Sequence, residues 1–378
     1  MVLRPPANWL DRDGQPTPIL TSVVTAAVAA PSVHNSQPWR FHARRDSIDI
    51  LPDPRRRLRV VDPTGRELML SVGAAMFNLR VAILAYGWQT TLWLLPETAP
   101  DAPVGRIRLA RPVEPSPTAR ALAWAITRRR TNRGPFRDIP VPPEVRDDLV
   151  AAAEAEGAVL RFPGPVARDG LLGVVRSAER QWVADPAYRA ELAQWTGDRN
   201  GRNDGVPAVA VGRRARRGTV PLRNFGLGLP TVRPVARFEA DPLIAVLYAG
   251  DTPQDWVRAG QALQRVLLTA TAHGVATTLL NQPLEIPRLR KLLTDPDTGL
   301  APHAIVRLGY AQLPAPRTPR RPVAEVLTTD GRPGGSCLVT TGRGRRPAVP
   351  QSRRAARAAA GADANRVPAG VGRPTVGA

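Results

Sequence analysis

Cysteine is almost missing from this chain: Cys337 is the only one in 378 residues. No disulfide can close within the chain, no cysteine zinc site can be assembled, and nothing points to an oxidising compartment. Lysine is just as scarce, with Lys291 alone, so the formal charge of +21 rests on arginine. The four histidines, His34, His42, His273 and His303, show no His-x-x-x-His pair and no paired-carboxylate spacing, which argues against a metal centre. No G-x-S-x-G occurs, and Ser32 and His34 lie two apart with no acid at a fixed offset, so a hydrolase triad has no support. No G-x-G-x-x-G follows a strand, and Gly226-x-Gly228 is too short a signal for a dinucleotide fold. Residues 1–10 hold no long apolar run, so no signal peptide is expected. The most apolar stretch, 68–95, is broken by Asn78, Arg80, Gly87 and Gln89. It reads as a buried central helix leading into a strand, with no membrane partner. The chain reads as cytoplasmic.

What is present supports a sizeable core. Hydrophobic residues make up 43% of a length suited to one large domain or two ordinary ones. Arginine in company with alanine, glycine, proline and valine suggests a GC-rich coding bias, but the basicity still favours anionic partners. Part of it lies in a tail: from Gly331 onward nine arginines face Asp363 alone, net +8, with no apolar period. That tail is expected to be disordered. It has no interleaved aromatics and no nucleic-acid module, so nucleic acid would bind there only non-specifically.

The periodicities alternate between helix and strand. Residues 1–18 read as an arm, 19–30 as a short helix, and the run from Trp39 to about Leu51 as a strand. Asp62-x-x-Gly-Arg66 caps a helix over 67–86 that ends at Gly87, followed by strands at 90–95 and 104–109. After a proline linker at 112–117 come helices at 119–129, 144–155 and 165–185, with a strand at 160–162. Residues 186–239 have no clean period and are cut by glycines, the pattern of a lid or binding loop. A strand at 244–248, a helix at 253–273, a strand or turn at 275–280, a short helix at 287–293 and a strand at 303–309 complete the fold. Asp251-Thr-Pro-Gln-Asp255 precedes the helix at 253–273 as Asp62-x-x-Gly-Arg66 precedes the one at 67–86, and each helix ends in glycine before a strand. The two halves therefore read as an internal duplication that packs its long helices together.

Two segments carry the polar chemistry. Residues 30–41, A-P-S-V-H-N-S-Q-P-W-R-F, place Ser32, His34, Asn35, Ser36 and Gln37 on a turn between helix and strand. They either present donors and acceptors to a ligand or simply connect two elements. Arg128-Arg-Arg-Thr-Asn-Arg133 offers guanidinium forks and a hydroxyl suited to a phosphate dianion. A solvated basic helix end, favoured by the helix dipole, fits that pattern as well. Arg320 and Arg321 form a second fork.

A-P-S-V-H-N-S-Q-P-W-R-F at 30–41 and R-R-T-N-R-G-P-F at 129–136 together resemble the nitroreductase-like flavoproteins, and within them the actinobacterial Acg-type branch of fused, duplicated nitroreductase units. The resemblance spans about 15–327. It implies an α+β fold, with two nitroreductase-like units at 19–117 and 118–327. Mixed and antiparallel sheets would surround long central helices, 186–239 would form a lid-like insertion, and 328–378 would be a disordered tail. It implies FMN bound between the units, with NAD(P)H as possible reductant and an unidentified small-molecule acceptor. By the same resemblance Arg129, Thr131 and Arg133 would hold the phosphate and ribityl chain, and Ser32, Val33 and Asn35 would border the isoalloxazine. Leu280 and Asn281 would touch the N5 edge, and Arg320 and Arg321 would complete the phosphate site. Each motif occurs once here, which implies one FMN site per chain, in a monomeric pseudo-dimer or a homodimer. A flavin-sequestering protein with a closed lid and little turnover is the alternative.

Overall fold

The computed structural model describes residues 8–94, 102–198, 201–215, 220–229 and 234–330, with the backbone alone at 214 and 215. The tail expected to be disordered from 328 begins later than that, since Thr328 and Thr329 pair with His42 and Ala43 in a strand, and its residues from 331 lie outside the described ones.

Helix α1 (Pro18–Val28) begins at Thr17, whose hydroxyl accepts from the Leu20 N–H. The strand expected from Trp39 to Leu51 is a hairpin, β1 (Trp39–Ala43) and β2 (Ser47–Pro52), because the polar Arg44-Arg45-Asp46 turns the chain. Then come α2 (Arg66–Ala85), β3 (Trp88–Leu94), β4 (Gly105–Pro112) and α3 (Pro117–Ile126). The second half supplies α4 (Pro143–Glu154), β5 (Val159–Arg161), α5 (Pro165–Ala184) and α6 (Pro186–Gln194). The short pieces β6 (Arg214–Ala215) and β7 (Val235–Ala236) precede β8 (Leu243–Ala249), α7 (Pro253–Ala272) and β9 (Ala276–Leu279). Next are α8 (Pro287–Leu292), β10 (Ala301–Gly309), the single turn α9 (Val323–Val326) and β11 (Leu327–Thr329).

The strands form two main sheets. One has the order β11-β1-β2-β4-β3, parallel only where β11 meets β1; the other is the antiparallel β5-β8-β10-β9. Helix α2 packs on the first sheet, α7 on the second, and the two helices pack on each other between them. Their backbones touch at paired glycines. A Cβ at Gly73 would lie 2.1 Å from the Val257 carbonyl oxygen, and one at Gly260 would lie 2.1 Å from that of Leu70. No larger residue fits that crossing. Polar side chains are tied off inside the contact, where the Gln264 amide donates to Asn78 Oδ1 at 2.6 Å. Helix α2 is long and apolar enough to span a bilayer, but 83% of its apolar window is buried within the protein.

The structure adds three details to these expectations. Trp9 and Leu10, assigned to a free arm, are buried in the core of the first half, with the Trp9 N–H donating to the Arg45 carbonyl. The 186–239 segment contains α6, which the sequence period missed. With Leu58, Val61 and Trp182 it builds a small core of its own around Tyr188, Leu192, Val206, Ala210, Val211 and Phe225. Helix α7 is capped from the 251–255 motif by Thr252 and Asp255 in a reciprocal capping box, while Asp251 binds Arg290 and the Trp256 indole. Asp62 does satisfy the start of α2, accepting from the Glu67 and Leu68 N–H groups.

Candidate functional site

Loop 30–37 is the most strained backbone among the described residues. His34, Asn35 and Gln37 are its only non-glycine residues at positive φ, at 48°, 55° and 52°. Such a conformation persists only when the surroundings dictate it. Here Ser32 Oγ accepts from the Gln37 N–H at 2.9 Å, and Asn35 Nδ2 donates to the carbonyls of Gly205 and Pro319. Gln37 Nε2 donates to the Asn203 carbonyl, and Gln37 Oε1 accepts from the Arg321 N–H. The loop is therefore fastened both to the 186–239 segment and to the C-terminal arm.

Segment 129–134 leaves α3 and lies along β9. Thr131 bridges Thr277, the Asn132 N–H donates to the Thr277 carbonyl, and the Thr278 hydroxyl donates to the Asn132 carbonyl. Asn132 Nδ2 donates to the Leu313 carbonyl, which holds the C-terminal arm alongside.

These two segments meet around two adjoining cavities. The larger, partly open to solvent, is lined by Ser32, Val33 and His34 from the loop, and by Thr131 and Arg133 from the second segment. One face of α2 adds Glu67, Leu70, Ser71 and Ala74, spaced i, i+3, i+4, i+7, and Leu263 of α7 and Leu279 add apolar wall. Leu222, Arg223 and Phe225 close it from the 186–239 segment. The smaller cavity is lined by Ser32 and Asn35, by Arg129, Arg130, Thr131 and Arg133, and by Thr318 and Arg320 from the segment after β10.

The electrostatics of the smaller cavity are unusual. Arg129 is 4% exposed, and its Nε, like that of Arg320, has no hydrogen-bond partner. Burial and the neighbouring Arg320, Arg130 and Arg133 press the Arg129 guanidinium down to about 9. Burial and Arg223 bring Arg133 to about 10, and burial and Arg130 bring Arg320 to about 10. Among the described residues no carboxylate pairs with any of these four. The polar contacts of Arg320 are Asn35 Oδ1 at 3.0 Å, Thr318 and nearby carbonyls. Buried like charges without a counter-ion make a site for an anion.

The sequence-predicted residues divide accordingly. Ser32, Thr131 and Arg133 line both cavities, Val33 and Asn281 the larger, and Asn35, Arg129 and Arg320 the smaller. Asn281 also accepts from the Ile305 N–H, so it braces β10 as well. Leu280 and Arg321 line neither. Leu280 is fully buried in an apolar cluster with Leu171, Ile244 and Ile305, and its neighbour Leu279 faces the cavity. The Arg321 side chain points to the Gln37 carbonyl and Glu325 and approaches Asp53 at 4.0 Å. Each lies next to a residue that does line a cavity, Leu279 and Arg320, because successive side chains in extended chain face opposite ways. Arg130, Arg223, Phe225 and Glu285 were missed. The α2 face could have been found from its helical spacing, since Glu67 and Ser71 are polar interruptions of an apolar helix.

The geometry defines a ligand cleft in an α+β protein, with a polar loop on one side and an arginine cluster on the other. The profile of the Nitroreductase family matches residues 126–310. The Mycobacterium tuberculosis H37Rv protein named "Putative NAD(P)H nitroreductase Rv3131" is 37% identical over 319 residues, covering 81% of this chain and 90% of its own length. A second protein of that strain, "Putative NAD(P)H nitroreductase acg", is 31% identical over 323 residues, covering 82% of this chain and 96% of its own. A crystal structure of a nitroreductase with bound FMN from Desulfitobacterium hafniense DCB-2 covers 55% of this chain and 97% of its own, at 15% identity and a TM-score of 0.34. This chain belongs to the nitroreductase family.

Proposed function

We propose that the chain is an FMN-dependent oxidoreductase that passes hydride from NAD(P)H to a small-molecule acceptor, with one FMN site per chain assembled from both halves. The observation that carries this is the buried arginine cluster without carboxylates, opening beside an apolar cavity. A phosphate dianion at Arg129, Arg130 and Arg320 would supply the missing counter-charge and engage the orphaned Nε atoms of Arg129 and Arg320. A flat ring system fits between Leu70, Ala74, Leu263 and Leu279, with Ser32 and Val33 at its edge. Bound FMN would accept and donate hydride at its N5; the protein's share is orientation and electrostatics. Thr131 and Arg133 line both cavities and would lie along the stem joining ring to phosphate.

On this reading the two halves are fused copies, the chain is its own pseudo-dimer, and it works in the cytoplasm. The purified protein is expected to be yellow with one flavin per chain, and Arg129→Ala combined with Arg133→Ala is expected to lose the colour. Stoichiometric flavin in that double variant would sink the assignment, and two flavins per chain would sink the single site. A second reading, flavin sequestration without turnover, is favoured by the roof: Asn203 and Gly205 of the insertion are hydrogen-bonded to the loop itself, so the cover is not a free flap. Bleaching near roughly 450 nm by NAD(P)H under argon separates the two, since a sequestering protein stays yellow.

A further inference from the structure

His34 is 4% exposed and lines the larger cavity, and neither of its ring nitrogens has a hydrogen-bond partner. Buried polar atoms are nearly always satisfied, so two orphans on one ring mark a missing partner. The side chain is also held there against backbone preference, at φ 48° in the left-handed region. Its ring meets Phe225 edge-on, with centroids 5.3 Å apart and planes at 82°. On that same phenyl ring the Arg133 guanidinium stacks 4.4 Å from the centroid. His34 therefore stands where the loop meets the roof, beside the space left for whatever reacts.

We propose that His34 is the hydrogen-bonding contact for an oxygen of the electron acceptor, and that the site around it selects neutral or anionic acceptors over cationic ones; the proposal rests on the flavin reading above. Burial, with Arg223 and Arg133 nearby, holds the imidazole well below its ordinary value, so the ring is neutral and offers one N–H donor and one acceptor lone pair. The donor suits an acceptor oxygen. The charges around it select further. Glu67 is paired with Arg66 and Glu285 with Arg223, while Arg133 has only the Ala210 carbonyl and the Phe225 ring. A ligand touching His34 thus sits in an excess of positive charge, which disfavours cations. Leu222 and Leu279 supply flat apolar wall.

The test reads binding to oxidised, flavin-loaded protein with no reductant present, through perturbation of the flavin absorbance. The probes are 4-nitrobenzoate and its cationic counterpart 4-nitrobenzyltrimethylammonium. His34→Gly suits the left-handed backbone and removes the ring; His34→Asn tolerates it and keeps a donor on a shorter arm. Wild type is expected to bind the anion and reject the cation. His34→Gly is expected to keep its flavin and bind 4-nitrobenzoate about tenfold more weakly, as the loss of one hydrogen bond implies, with His34→Asn between. Added imidazole should restore binding in His34→Gly alone. Unchanged 4-nitrobenzoate affinity in His34→Gly, or equal affinity of wild type for the cation, would overturn the proposal. So would a folded His34→Gly protein that has lost its flavin, because the histidine would then be holding the cofactor. Wild-type protein that stays colourless with added FMN removes the flavin reading and this inference with it, a result plainly distinct from the others.

Discussion

Two clusters of buried arginine face this cleft, and they are built in opposite ways. Around Glu285 each guanidinium meets a carboxylate: Arg66 donates to Glu67 at 2.5 Å and to the Leu284 carbonyl, and Arg223 donates to both Glu285 oxygens at 2.5 and 2.7 Å and to the Tyr188 hydroxyl at 3.0 Å. Burial alone would lower Arg223, but Glu285, then Tyr188 and Glu179, raise it. Around Arg129 there is no carboxylate, and burial and like charge lower each guanidinium. In the first cluster each guanidinium has a carboxylate of its own, though Arg66 Nη1 keeps no hydrogen-bond partner, and Arg223 and Glu285 form part of the cavity wall. The second is complete only with an anion from outside. Buried charge by itself therefore does not mark a ligand site; the absence of a partner does.

The largest expected effect is at the first cluster. Glu285→Ala leaves Arg223 buried beside Tyr188 without its carboxylate, and chemical denaturation should show a loss of about 3–5 kcal/mol. A loss below ~1 kcal/mol would erase the contrast between the clusters. The next effect is in pH, at Asp62, which shares the start of α2 with Arg66 and Glu67. Burial and Glu67 push its carboxyl up to about 6, above its unfolded value near ~4. Between those values the folded state holds a proton that the unfolded chain has released, so stability falls as pH rises from ~4 to ~6. The contribution of Asp62 to that slope should amount to about 2–3 kcal/mol and be missing from Asp62→Asn, which keeps an oxygen for the Glu67 and Leu68 N–H groups. A slope of the same size in the variant would place the titration elsewhere. The smallest effect should come from Arg129→Met in flavin-free protein. Removing one of several crowded cations while keeping its volume should change stability by under ~1 kcal/mol, in the favourable direction. A loss comparable to that of Glu285→Ala would mean that the second cluster is already complete.

Much of this was legible in the sequence, for identifiable reasons. The long helices announced themselves by apolar period, and the turn chemistry of 30–37 and the arginine run at 128–133 stood out against their surroundings. Which side of extended chain looks inward was not legible: Leu280 was chosen where Leu279 lines the larger cavity, and of the chosen pair Arg320 and Arg321 only Arg320 lines the smaller. No local pattern says which side of such a strand faces inward when both neighbours are the same residue type. Arg223 and Phe225 could not be read at all. They lie in a segment without a period, and their importance comes from Glu285 and His34, distant partners in the chain. Helix α6 was hidden by short length and proline-flanked, polar composition.

Pairing of β11 with β1 joins Phe41 to Leu327, and Arg320 reaches Asn35 across 285 positions. A ribosome releases the loop early and Arg320, which completes its arginine cluster, 285 positions after Asn35. The anion pocket therefore cannot exist on a nascent chain until nearly all of the described fold has been synthesised. A chain cut short before residue 320 lacks Arg320, so on the proposed reading flavin loading would report that synthesis had passed that residue.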